Sequence, residues 1–198
     1  MSGYQDFVDL FGSGVFIRSN EIKKKYSLQK ALSSVYVIPT FFKGIYYVPM
    51  ILERKGHFIL NKQEFFISLF NIQYGRKKWY WALSTAARYY GFEWSATQIL
   101  EIVTMERTKT IKVAERIASL RYKRSYRSAT LAKYYDSLDV NLIYIHQGKQ
   151  NNFESIKIDD ELGPVCTKEQ LFEDIKQYCG KIRDQRLKRI YDRIIEEF

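Results

Sequence analysis

The stretch that decides the fold is Thr40-Phe41-Phe42-Lys43-Gly44-Ile45-Tyr46-Tyr47-Val48-Pro49. Two runs rich in aromatic and β-branched residues flank a Lys-Gly pair, the pattern of a β-hairpin with Lys43 at its tip. Upstream, Tyr4, Phe7, Val8 and Phe11 recur at i, i+3, i+4 and i+7, which predicts a short amphipathic helix. Gly12-Ser13-Gly14 stops that helix, and Val15-Phe16-Ile17 reads as a brief strand. Ser19 is expected to cap a helix over residues 20–26. Ser27 is expected to cap another, with Leu28, Ala31, Leu32 and Val35 on one face and Pro39 ending it.

Helix, short strand, helix, helix, hairpin is the order of a winged helix-turn-helix, so residues 1–54 are expected to form that domain. In such a motif the N-terminal residues of the second helix enter the major groove. Ser27, Gln29, Lys30, Ser33 and Ser34 would then face DNA. Glutamine pairs bidentately with adenine, while serine and lysine reach phosphates or base edges. Lys23, Lys24 and Lys25 would lie on the adjacent backbone, and Lys43 would make a wing contact.

Residues 55–198 change character. Asn61, with Glu64 three residues on, resembles a capping box and opens a helix to about residue 72. Gly75-Arg76-Lys77-Lys78 reads as a turn. Trp79, Leu83, Ala86, Ala87 and Tyr90 form a helical stripe closed by Gly91. Strands are expected at 99–104, 110–114, 117–122, 140–146 and 153–158, with a mobile loop over 147–152. Thr167-Lys168-Glu169-Gln170 is a capping box opening a helix to Tyr178, and Ile182, Leu187, Ile190, Tyr191, Ile194 and Ile195 mark a last helix. The fold class is therefore α+β: a winged helix-turn-helix, then a mixed α/β domain with a small, mostly antiparallel sheet and terminal helices.

Charge points to a polyanion or an acidic partner. The chain of 198 residues carries a net charge of +10. Residues 1–60 hold 8 basic and 4 acidic side chains, residues 61–150 hold 15 and 7, and residues 151–198 hold 9 and 11, so the surplus lies in the first three quarters. A second basic cluster, Arg121, Lys123, Arg124 and Arg127, is interleaved with Tyr122 and Tyr126, a composition suited to nucleic acid or to an acidic protein. At 46% hydrophobic and 16% aromatic residues, the chain has ample material for a core. No apolar run reaches the roughly 18 uncharged residues a membrane helix needs. The segment 1–10 lacks the basic start of a secretory signal.

Chemistry-bearing motifs are sparse. Cys166 and Cys179, if joined by helix, stand roughly 20 Å apart, too far for a disulfide, and read as free thiols in a reducing cytoplasm. His57 and His146 have no partner at metal-ligand spacing, so no metal or other cofactor is expected. Phosphate-loop, dinucleotide and nucleophile-elbow motifs are missing, although a Ser/His/Asp triad meets only in space. Gly12-Ser13-Gly14 is not followed by the alternating carboxylates that hold Mg²⁺ in nucleotidyltransferases. Asp159-Asp160-Glu161 and Glu154 with Lys157 are the nearest material for a nuclease centre, though they read better as a solvated turn. No catalytic residue is expected.

The order of motifs resembles the AbiEi-type antitoxins of abortive-infection systems. Residues 79–91, Trp79-Tyr80-Trp81-Ala82-Leu83-Ser84-Thr85-Ala86-Ala87-Arg88-Tyr89-Tyr90-Gly91, are similar to that family's tyrosine, small-residue helix and glycine segment. Ile99-Leu100-Glu101-Ile102-Val103-Thr104 resembles its strand ending in Val-Thr, and residues 110–125 its basic hairpin. Val165-Cys166-Thr167-Lys168-Glu169-Gln170-Leu171-Phe172-Glu173-Asp174 looks like its later helix start, and Lys43-Gly44-Ile45-Tyr46-Tyr47-Val48-Pro49 its Gly-x-Tyr-x-x-Pro wing. The likeness spans roughly residues 5–180. It implies a non-enzymatic cytoplasmic regulator that binds operator DNA and counters a nucleotidyltransferase toxin. Two other readings stay open: a protein-binding module with a degenerate winged helix, and a metal-dependent nuclease.

Overall fold

The hairpin and the strand upstream of it form one small sheet. Val15–Arg18 (β1), Ile38–Pro39 (β2) and Ile45–Val48 (β3) are ordered β1-β3-β2, with both pairings antiparallel. The computed structural model describes residues 2–92, 98–121, 128–154, 156–181 and 185–196. It shows a mixed α+β chain with two compact units, one of residues 1–73 and 112–140, the other of residues 74–111 and 141–198. The first unit thus runs past the expected boundary at residue 54 and takes in a later helical segment.

In the first unit, Ser2–Phe11 (α1) precedes β1, and Ser19–Lys25 (α2) and Leu28–Ser33 (α3) follow it. Glu21 reaches back to accept the Arg18 N–H at 2.7 Å, so Ser19 is the first helical residue rather than the cap. Ser27 does cap α3, its Oγ accepting the Lys30 N–H at 3.3 Å. The third helix is shorter than expected. It ends at Ser33, and Val35 already has φ +53°, a left-handed conformation that a β-branched side chain resists. Phe7, Ile17, Ile22, Ala31, Leu32, Val37 and Val48 form the core that joins these elements.

The hairpin's first arm is 38–39, because residues 40–44 form the turn. The Thr40 N–H donates to the Ile45 carbonyl, and Gly44 adopts φ +81°. Phe41 and Phe42 are buried. Ile51–Gly56 (α4) and Lys62–Tyr74 (α5) come next, the latter capped as expected by Asn61, whose Oδ1 accepts the Glu64 N–H. Phe65 of α5 packs on Phe16 and Tyr47, with ring centres 4.9 and 5.1 Å away, and Phe66 and Phe70 lie against Phe41 and Phe42. The small sheet is therefore buried on both faces. Val113–Arg121 (α7) and Ser128–Asp136 (α8) complete this unit, and the Tyr135 hydroxyl of α8 donates to the Pro39 carbonyl.

The second unit is built on Trp79–Trp81 (β4), Ile99–Thr104 (β5), Lys109–Lys112 (β6), Leu142–Gln147 (β7), Ile156–Asp159 (β8) and Gly163–Cys166 (β9), in the order β6-β7-β5-β4-β9-β8. Pairs β4·β5 and β8·β9 are antiparallel, whereas β4·β9 and β5·β7 are parallel. The sheet is mixed and six-stranded, not small and mostly antiparallel. Leu83–Tyr89 (α6), Lys168–Tyr178 (α9) and Gln185–Glu196 (α10) pack against one another.

Three expectations are corrected here. Trp79–Trp81 is a strand, and the helix begins only at Leu83. Of the segment expected as strands at 110–114 and 117–122, the described residues, up to Arg121, are β6 followed by helix α7. The expected mobile loop contains a 3₁₀ turn, Gln150–Phe153, whose Asn152 is buried. Cys166 and Cys179 are both free, and burial pushes both thiols above the usual value.

Candidate nucleic-acid interface

Helix α2 places Lys23, Lys24 and Lys25 in its last turn, all exposed, because its one buried side chain is Ile22. Basic groups at a helix C-terminus also complement the helix dipole. The Lys25 ammonium lies 6.0 Å from the centre of the Phe11 ring and the Lys30 ammonium 5.6 Å from that of Tyr26, weak cation–π contacts at exposed positions.

Helix α3 buries Ala31 and Leu32 and exposes Ser27, Gln29, Lys30 and Ser33. Two of these hydroxyls are engaged locally. Ser27 is the cap, and Ser33 donates to the Lys30 carbonyl at 3.1 Å. Gln29 and Lys30 carry the side-chain groups that project from this face. Ser34 is only half-exposed and stands at the helix end, where its carbonyl accepts from Arg54 Nη2 at 3.3 Å.

Lys43 is exposed beside Gly44, whose carbonyl accepts the Ser19 N–H at 2.8 Å. That bond ties the hairpin turn to the start of α2, whereas Ser27 follows its end. A helix of this length spans about 10 Å, so Lys43 and the start of α3 lie at opposite ends of α2. Arg121 terminates α7, and Lys123, Arg124 and Arg127 lie outside the described residues. Arg121 thus ends a helix rather than the expected strand.

The sequence reading missed three buried carboxylates. Glu53 accepts from the Tyr47 hydroxyl at 2.7 Å and from the backbone N–H groups of Met50 and Leu60 at 2.8 and 2.9 Å. In the second unit, Glu101 accepts from the Ser84 N–H and hydroxyl at 3.0 and 2.6 Å, meets His146 Nε2 at 3.1 Å, and accepts from the Tyr191 hydroxyl. Asp174 accepts from Tyr80, Asn152 and Gln170 at 2.9, 3.2 and 2.7 Å, and burial pushes its pKa up to about 6 against the hydrogen bonds that favour its charge. One signal was available: Glu101 is a lone carboxylate in an apolar strand, and a buried charge requires partners.

These networks fasten α6, α9 and α10 to the sheet. Ser84 and His146 both bond to Glu101, and the serine hydroxyl donates to the carboxylate rather than to the imidazole. That is not the nucleophile-to-base hydrogen bond of a catalytic triad. Asp159 accepts the N–H groups of Leu162 and Glu161, which lower its pKa, and it bonds the Tyr89 hydroxyl in the β8–β9 turn. Among the described residues, no group of three His, Cys, Asp or Glu side chains gathers as a metal site, and no helix is long and apolar enough to cross a membrane. Comparison with protein-family models, curated proteins and solved structures returns no match.

Proposed function

We propose that the first unit is a winged helix-turn-helix that binds duplex DNA, and that the chain is a cytoplasmic, non-enzymatic transcriptional regulator. The observation that carries this reading is the order β1-β3-β2 around a helix pair whose second member is capped by Ser27 and exposes Gln29 and Lys30. An antiparallel hairpin returning beside the first strand, with two helices between, is the arrangement expected of that motif. The adjoining lysines add a sequence-independent hold on phosphates. The further assignment, an antitoxin opposing a nucleotidyltransferase toxin, rests on the motif order that resembles AbiEi-type proteins.

The test is a gel-shift titration against the DNA upstream of the chain's own gene, with a scrambled duplex of equal length as control. A preference of about a thousandfold or more is expected for an operator. Equal affinity for both duplexes removes the regulator reading.

One observation favours a protein-binding module instead. A groove of about 380 Å³ has Leu10, Phe11, Val15 and Phe16 in its walls and Glu21, Lys24 and Lys25 beside them, a net-positive surface suited to a partly apolar protein segment with some acidic groups. Co-purification with a neighbouring gene product, without DNA affinity, selects that alternative.

A further inference from the structure

A second cavity in the first unit, of about 290 Å³, is lined by residues of α1, the end of α3, α4 and α8, among them Tyr4, Ser34, Arg54, Lys55, His57 and Thr130. Its size is close to the lower end for small-molecule sites, roughly 300 Å³. The formally charged side chains on its wall are basic. The neighbouring acid, Glu53, is fully buried and its oxygens are committed to Tyr47, Met50 and Leu60.

Arg54 is held in place before any ligand arrives. Its guanidinium lies 4.4 Å from the Tyr4 ring centre and 5.4 Å from that of Tyr36. It donates to the Ser34 and Val35 carbonyls at 3.3 and 3.5 Å, long contacts that leave most of its five N–H donors available. Lys55 is exposed at the rim. His57 closes α4 in the left-handed conformation, with φ +57°, and its ring meets Tyr134 edge-on at 5.9 Å.

Tyr134 supplies the second observation. It is 1% exposed, yet its hydroxyl has no hydrogen-bond partner among the described residues. A buried hydroxyl without a partner is destabilising and is ordinarily satisfied. It stands one helical turn after Thr130, beside His57 and near the Arg54 charge. The cavity thus gathers a fixed guanidinium, an ammonium, an imidazole and the Ser34 and Thr130 hydroxyls, with an unpaired phenol behind its wall. Planar guanidinium with a point-charge ammonium is the donor set that recognises a phosphate group.

We propose that this cavity binds a small phosphate-bearing ligand, either a phosphate monoester or the free ion, whose oxygens are taken by Arg54, Lys55 and His57. The site is distinct from the Lys23–Lys25 edge, and its occupation does not depend on DNA binding.

Calorimetric titration of the full chain, without DNA, tests it with three probes: AMP, inorganic phosphate and adenosine. Saturable binding of AMP or phosphate is expected, with adenosine at least about tenfold weaker, a difference of about 1.4 kcal/mol. Tighter binding of AMP than of phosphate assigns the monoester, and equal affinity assigns the ion. The Lys55→Gln/His57→Asn variant keeps a residue tolerant of positive φ at position 57, and should weaken binding at least about tenfold while its thermal unfolding stays cooperative. Tyr134→Phe provides a variant that removes an unpaired group and should unfold no earlier than the parent. Absence of saturable binding by either phosphate probe in a folded chain, affinity unchanged in the double variant, or adenosine binding as tightly as AMP overturns the assignment.

Discussion

Replacing Lys23, Lys24 and Lys25 with alanine turns the DNA reading into a number. Successive residues on an α-helix are turned by about 100°, so Lys23 and Lys25 point about 160° apart, to nearly opposite sides. One phosphate strand can therefore meet two adjacent members of the trio and not all three. All are exposed, and none is held in an ion pair among the described residues. Each phosphate contact contributes about 0.9 to the slope of log affinity against log salt. The triple variant should lower that slope by about 1.8, and at about 0.1 M salt, where each contact is worth roughly eightfold, weaken binding roughly 60-fold. Fluorescence anisotropy of a labelled duplex, measured between about 50 and 200 mM salt, gives both quantities. Lys43→Ala, at the far end of α2, should remove about one further contact, or about 0.9 of slope. A slope unchanged by the triple variant refutes the interface. A slope reduced by three full contacts refutes its helical geometry.

Two further outcomes concern stability. Asp174 is pushed up to about 6 by burial, from an ordinary value of 3.8, so the folded chain binds its proton more tightly than the unfolded one. Its stabilising contribution is then complete below the unfolded value and is lost as pH rises through about 6, by roughly 3 kcal/mol in total. Urea unfolding of the parent and of Asp174→Asn should show their stability difference moving against the parent by that amount between about pH 3 and pH 7, and a constant difference contradicts the burial argument. Ser27→Ala removes the α3 cap and should cost about 1 kcal/mol in the same assay, whereas a change under about 0.3 kcal/mol would mean that the bond to Lys30 contributes little.

Local signals carried most of the first unit. Glycines at 12 and 14, the Ser27 cap, and the Lys-Gly turn between aromatic runs each act within a few residues, and each matched an observed boundary to within a turn. Ser19 is the instructive exception: Glu21 supplies the reciprocal half of a cap to the Arg18 N–H, so the helix starts one residue earlier than the hydroxyl suggested. The shortened α3 has the same lesson, since the chain leaves the helix at Val35 to bring Ile38 beside Tyr47.

The second unit was harder to read because the central strand of its sheet is buried on both faces. Trp79, Leu83, Ala86, Ala87 and Tyr90 have helical spacing, yet Trp79, Tyr80 and Trp81 are all buried in a central strand between β5 and β9. With no solvent face there is no alternation to mark the strand. Residues 113–121 mix β-branched and charged positions and form a helix.

By itself the amino-acid order determined the α+β class, the caps at Ser27, Asn61 and Thr167, the turn at Gly44 and the exposure of Lys23, Lys24 and Lys25, because backbone stereochemistry and short-range periodicity act between near neighbours. Tertiary structure alone decided that Glu101 meets Ser84, His146 and Tyr191, that Asp174 meets Tyr80 and Asn152, and that Arg54 lies against Tyr4 and Tyr36. Those partners are separated along the chain by many intervening residues, and a buried charge is made tolerable only when folding delivers its hydrogen-bond donors to it.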